Sequence, residues 1–231
     1  MPDFQSEVGN LKAALVSRLE SSGSELAEAA YKAALPQIEW LDYLRKSELT
    51  GVADEFLTGL RASIVESLGC LAAGLVRPAI FAMRGQIDIA LGWLYFKDHP
   101  VEWDKVVRTG DGFMLKRDVM QYLEENISSF KPRFTAVSVF KTRSESDPYR
   151  LLSAYVHGQS PATLPIYEGL ETLIWKSSLC EDGVKLQAEV SEYVNDVLVA
   201  YFGSKWASIP KNRIEALEVR MGAGNIVKAF T

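Results

Sequence analysis

Residues Asp147–Gly158 read "DPYRLLSAYVHG". Asp147 followed by Pro148 opens a helix. The carboxylate accepts from free amide N–H groups of the first turn, and proline's fixed φ suits the first helical position. Gly158 stops it, because glycine enters the left-handed conformation without a Cβ clash. Within that helix Arg150 and His157 are seven positions apart, on one face and two turns, about 10 Å, from each other. Ser153 falls between them. Side chains on a helix lean toward its amino end, so the imidazole leans back toward the arginine. His157 sits in the last turn, where the helix dipole favours the imidazolium form. Arg150 sits in the first turn, where unpaired amides already attract anions, so a guanidinium there makes most sense if something negative comes to it.

Working outward, the periodicity is helical nearly everywhere and no alternating strand pattern appears, which predicts an all-α protein. Upstream, Phe4, Val8, Leu11, Leu15 and Leu19 step by three or four behind a capping Asp3. "SSGS" reads as a break, with Ser24 capping a second helix that Pro36 kinks. A third helix starts after "SELTG", and its second half (Ser67, Gly69, Cys70, Ala72, Ala73, Gly74) is small enough for a close neighbour. "PAIFAMRGQIDIALGWLYF" follows, then a short helix opened by Asp98 and Pro100, and an amphipathic one over about Phe113–Ile127. Thr135–Phe140 fits either a short helix or an extended segment. Downstream of the opening motif, helices are predicted from about Pro165 to Leu179, Val184 to Phe202 and Pro210 to Met221. The expected organisation is a helical hairpin over residues 1–50, an element for oligomerisation or partner docking, and a helical bundle over 51–231.

The 231 residues are 48% hydrophobic and 24% charged, ordinary for a packed soluble chain. The start lacks a basic segment followed by an apolar one, so no secretory signal is expected. The apolar run Leu71–Phe96 carries Arg77, Arg84 and Asp88 in its middle, each costing about 2.5–3.5 kcal/mol at a membrane helix centre. It reads as buried core, with no membrane association. Cys70 and Cys180 lack metal or redox spacing and read as buried, reduced thiols of a cytoplasmic protein. The net charge of −5 does not advertise nucleic-acid binding overall. The one basic excess lies in residues 71–150, mostly in "KPRFTAVSVFKTRSESDPYR", which leads into the opening motif or forms a solvated loop. His99 reads as a solvent-facing loop residue. Trp93, Tyr95, Phe96 and Trp103 read as core packing. No metal site, glycosidase carboxylate pair or Ser-His-Asp set is readable, and no cofactor is expected.

A guanidinium that holds a phosphate and an imidazole that moves a proton on or off the 2′-hydroxyl or the leaving oxygen are the parts of a metal-independent ribonuclease. One imidazole cannot conveniently be both acid and base, so such a site favours a dimer that brings two motif helices together.

The R-x6-H spacing in "YRLLSAYVHG" resembles the R-x(4–6)-H motif of the HEPN superfamily, helical-bundle proteins of prokaryotic toxin–antitoxin, phage-defence and CRISPR systems. "LSAYVHG" is similar to members that read Leu-Ser-x-x-x-His-Gly. "MRGQIDIALGWLYFKDHP" is similar to an upstream helix in which an Arg-x-x-x-Glu/Asp pair precedes an aromatic stretch, here Arg84 and Asp88. The resemblance implies a HEPN-like bundle and an endoribonuclease of a defence or toxin system. Arg150 and His157 would be catalytic, Ser153 would assist by hydrogen bonding, and Asp88 would orient Arg150. The residues themselves also allow a local Arg84–Asp88 ion pair. One position departs from the pattern: Leu151 stands where many active members carry a polar residue. The alternative is therefore a non-catalytic helical subunit of a defence complex that binds RNA, a nucleotide or a protein partner.

Overall fold

A computed structural model describes residues 3–165 and 168–230, and every regular element among them is helical. In chain order these are α1 Phe4–Arg18, α2 Ser24–Ser47, α3 Glu55–Ala72, α4 Val76–Phe96, α5 Pro100–Thr109, α6 Lys116–Asn126, α7 Phe130–Val139, α8 Pro148–His157, α9 Ser177–Phe202, α10 Lys211–Met221 and α11 Ala223–Phe230. The all-α expectation holds, and the ambiguous stretch before the motif is the helix α7. No helix among the described residues is long and apolar enough to cross a membrane.

Two predicted breaks are absent. Between α1 and α2 the backbone never leaves helical angles but passes through a π-helical turn, Leu19–Gly23. A Cβ on Gly23 would lie 3.2 Å from the Leu19 Cδ2 and 3.4 Å from the carbonyl oxygen of Ala72, so this glycine serves close packing. Arg18 pins the turn by donating to Ser22 Oγ (3.0 Å), Ser177 Oγ (2.5 Å) and the Trp175 carbonyl (2.6 Å). With no reversal of the chain there, the first fifty residues are not a hairpin. Likewise Gly183 lies inside α9, where a Cβ would come 2.5 Å from the Leu71 Cδ2 of α3. Of the helix predicted over Pro165–Leu179 only the end is α-helical, as the start of α9 at Ser177; before it lies a 3-10 turn, Leu170–Leu173, and positions 166 and 167 lie outside the described residues.

The chain divides into two compact units, and the expected boundary at residue 50 is not where it divides. One unit comprises Met1–Leu35, Ala62–Gln86 and Asp147–Val190, and the other Pro36–Arg61, Ile87–Ser146 and Ser191–Thr231. The first packs Leu26, Ile64, Leu71, Ile80, Met83 and Leu152. At its centre a closed polar ring satisfies itself: Ser67 donates to Gln187 (2.8 Å), Gln187 to Gln86 (2.8 Å) and Gln86 to Ser67 (3.0 Å). With every donor matched, burying these groups costs little. The second unit is aromatic. Trp40 stacks on Phe202 and donates from its indole to Asn195 (3.0 Å), while Phe56, Phe96, Trp103 and Phe113 pack together, bearing out the core reading of Phe96 and Trp103.

Candidate functional site on α8

Helix α8 has the ends that its sequence requires. Asp147 accepts from the Tyr149 amide (3.2 Å), Pro148 fills the first turn, and Gly158 ends the helix at φ 57°. A Cβ on Gly158 would lie 2.9 Å from the Leu164 side chain, so both conformation and space demand glycine. Pro148 and Leu152 are buried, which fixes which face of α8 meets the unit. Arg150 and His157 are both exposed on an unbroken helix, about 10 Å apart along its axis. Among the described residues, neither side chain makes a hydrogen bond, ion pair or ring contact.

Ser153, predicted to assist between them, is engaged otherwise. Arg84 of α4 donates from Nε to Ser153 Oγ (3.3 Å) and from Nη2 to the Tyr149 hydroxyl (2.6 Å). Its guanidinium also lies over the Tyr149 ring, 4.7 Å from the centroid. The residue that reaches Tyr149 and Ser153 of α8 is thus an arginine from the predicted upstream helix. Asp88, expected to orient Arg150, is half-buried four residues further along α4 and belongs to the second unit. Two turns before Arg84 on α4, Arg77 donates from Nη1 to the Thr163 carbonyl (2.7 Å), and its guanidinium covers the Phe81 ring at 5.2 Å. Thr163 lies in a capped turn, where Ser160 and Thr163 hydrogen-bond reciprocally just beyond His157.

Chemically, α8 offers one guanidinium for an anion and one imidazole for a proton, both open to solvent. The thiols offer no alternative nucleophile. Burial pushes Cys180 and Cys70 up, away from thiolate, and both are free. No group of three or more His, Cys, Asp or Glu side chains among the described residues is arranged to hold a metal.

His99 is not the solvent-facing loop residue expected. It is half-buried at the start of α5, stacked on Tyr95 at 4.0 Å, with Nδ1 2.7 Å from the Tyr95 carbonyl. The basic stretch before the motif is also not simply solvated. Arg133 is 9% exposed and Arg143 4%. Arg143 joins a buried quartet in the second unit, donating to Asp196 (2.5 Å) and Glu192 (3.1 Å), while Arg220 donates to the same Asp196 (2.5 Å) and pairs with Glu192 (3.0 Å). Thr142 donates to Glu192 from both amide and hydroxyl. Burial pushes the Asp196 carboxyl up against the pull of Arg220 and Arg143. In Glu192 burial is outweighed by Thr142 and the two guanidiniums, and the carboxyl lies below its usual range. The sequence carries no signal for this quartet, since each arginine comes from a segment far in the chain from the Glu192–Asp196 pair.

The chain matches no family model, no curated protein and no solved structure.

Proposed function

We propose that the protein is a metal-independent endoribonuclease in which two copies bring their α8 helices together, in the manner that a HEPN-like defence or toxin protein implies. The observation that carries this reading is the pair Arg150 and His157: exposed, without side-chain partners among the described residues, on one short helix. An exposed arginine in a helix's first turn with no carboxylate to answer it is suited to a phosphate. In the reaction, the 2′-oxygen attacks the adjacent phosphorus and the bond to the 5′-oxygen breaks. One imidazole accepts the 2′-hydroxyl proton, and the imidazolium of the second copy gives a proton to the leaving oxygen. Arg150 stabilises the charge gathered on the phosphoryl oxygens.

A second reading keeps the same surface without chemistry, as the RNA- or partner-binding subunit of a defence complex. It is favoured by the engagement of Ser153 with Arg84, which leaves each α8 with a single proton-transfer group on that face. The two readings separate on cleavage of a labelled RNA in excess EDTA. His157→Ala is expected to lower the rate by about 10²- to 10⁴-fold with unchanged thermal unfolding, since the imidazole is exposed. A wild-type protein that binds RNA but cuts no faster than His157→Ala selects the binding subunit. Cleavage abolished by EDTA overturns the metal-independent mechanism.

A further inference from the structure

We propose that Arg77 and Phe81 on α4 form a nucleotide-binding subsite that continues the α8 surface, holding the base and phosphate of a nucleotide next to the one at Arg150 and His157. This rests on the reading of α8 as an RNA-acting surface.

The first observation is electrostatic. Arg77 is half-buried, yet the only acceptor it meets among the described residues is the neutral carbonyl of Thr163. A guanidinium partly removed from water and given no carboxylate has lost hydration without a counter-charge, and an arriving anion restores it. One Nη is committed to Thr163, which fixes the plane of the group and leaves its other N–H edge open to a phosphate oxygen. The second observation is aromatic. Phe81, one turn along the same face of α4, is 43% exposed although it sits in a helix otherwise rich in buried apolar residues. Arg77 lies over its ring, so the pair already forms a flat surface of π-face and guanidinium. Unpaired bases stack on such surfaces without regard to sequence.

The third observation is placement, all within the first unit. Arg84, Phe81 and Arg77 occupy one face of α4 at spacings of three and four. Arg84 touches α8 at Tyr149 and Ser153, whereas Arg77 touches Thr163, six residues beyond His157. The α4 strip therefore runs alongside α8 in the opposite sense, and the His157 end of α8 falls between its two arginine contacts. An RNA strand following the strip passes the imidazole. A partner recognised by phosphate and by an unpaired base fits these features together, whereas an acidic peptide uses only the arginine.

The test is binding and cleavage of a fluorescein-labelled, unstructured ten-nucleotide RNA by the full chain, with Phe81→Ala, Phe81→Leu, Arg77→Ala and Arg150→Ala. Phe81→Ala is expected to weaken binding by about 5- to 100-fold, and Phe81→Leu by a similar factor, because leucine keeps the apolar bulk but not the stacking face. Arg77→Ala is expected to lower the salt dependence of binding by about one phosphate contact. Circular dichroism and melting of Phe81→Leu identify any loss that comes from misfolding. If RNA binds and Arg150→Ala weakens it while both Phe81 variants and Arg77→Ala bind as wild type does, the subsite is wrong and the α8 reading stands. If the Phe81 and Arg77 variants lose binding but no variant or wild type cleaves, the subsite stands and catalysis falls. Absence of any RNA binding by the wild type overturns both.

Discussion

Removal of the Asp196 carboxylate tests the energetic centre of the second unit. The quartet is neutral as built, with Arg143 and Arg220 against Glu192 and Asp196. The Asp196 side chain is 0% exposed, Arg143 1%, Arg220 11% and Glu192 15%. Asp196→Ala leaves two guanidiniums facing one carboxylate, with the Arg143 side chain almost wholly out of water. Breaking a buried pair from one side costs about 3–5 kcal/mol. For a chain of this size that is a fall in Tm of roughly 6–20 °C. The urea midpoint should drop with little change in its slope. Four of the five tryptophans (Trp40, Trp93, Trp103 and Trp206) belong to the second unit, so fluorescence reports its unfolding directly. A companion variant separates charge from packing. Replacing all four members by Met or Leu removes every buried charge, and it should be more stable than Asp196→Ala alone, because no ion is left unpaired. Two results refute the reasoning: Asp196→Ala within about 1 kcal/mol of wild type, or the fourfold apolar variant less stable than the single one. Either would mean that water, not the carboxylate, solvates Arg143.

Two further predictions use titration. Because Glu192 is held below its usual range, its contribution to stability is present above the unfolded carboxylate pKa of about 4.3 and is lost as pH falls through the folded value. Thr142→Val removes one of the groups that lower it, so acid unfolding followed by tryptophan fluorescence should begin at higher pH; an unmoved acid limb contradicts the assignment. Asp196, shifted the other way, does not add to this acid loss. Burial first, and then the bond to Glu48 at 2.7 Å, push the Tyr43 phenol up to about 12. Its stabilisation is complete below pH 10 and disappears as pH rises through 12. Absorbance titration at the phenolate band should lose a late-ionising group in Tyr43→Phe and show that group moving part of the way down in Glu48→Gln, and a wild-type protein whose tyrosines all ionise near pH 10 refutes it.

Helices were legible wherever a punctuating residue did its usual work. Asp147, Pro148 and Gly158 bound α8 at the expected residues because each adopts the capping role its residue type favours. Gly23 and Gly183 misled because they serve a different end. Each lies in helical backbone and is small so that a neighbouring segment can approach, at Ala72 in one case and Leu71 in the other. A glycine that ends a helix and a glycine that admits a neighbour look alike in sequence. What distinguishes them is the backbone: φ is positive at Gly158 and not at Gly23 or Gly183. The small-residue half of α3 was the legible part of that contact, and its partner in α9 was not.

The site was legible to the extent that it lies on one helix. Arg150, Ser153 and His157 share a face by spacing alone, but what Ser153 does depends on Arg84, 69 positions earlier, and no local rule reports that. Charge counting failed for the same reason. The basic excess in the middle of the sequence mixes two populations of arginine that composition cannot separate. Arg143, together with Arg220 from far downstream, turns inward and is matched by carboxylates, so it contributes nothing to an outer field. Arg77 and Arg150 lie at the surface of the first unit with no carboxylate of their own among the described residues. A protein of net charge −5 can therefore present a locally positive face, because its acids are spent elsewhere: on the quartet, on solvated helix surfaces such as Glu28 with Lys32, and on Glu39 with Arg213. It is the sorting of arginines by partner, rather than their number, that directs attention to α4 and α8.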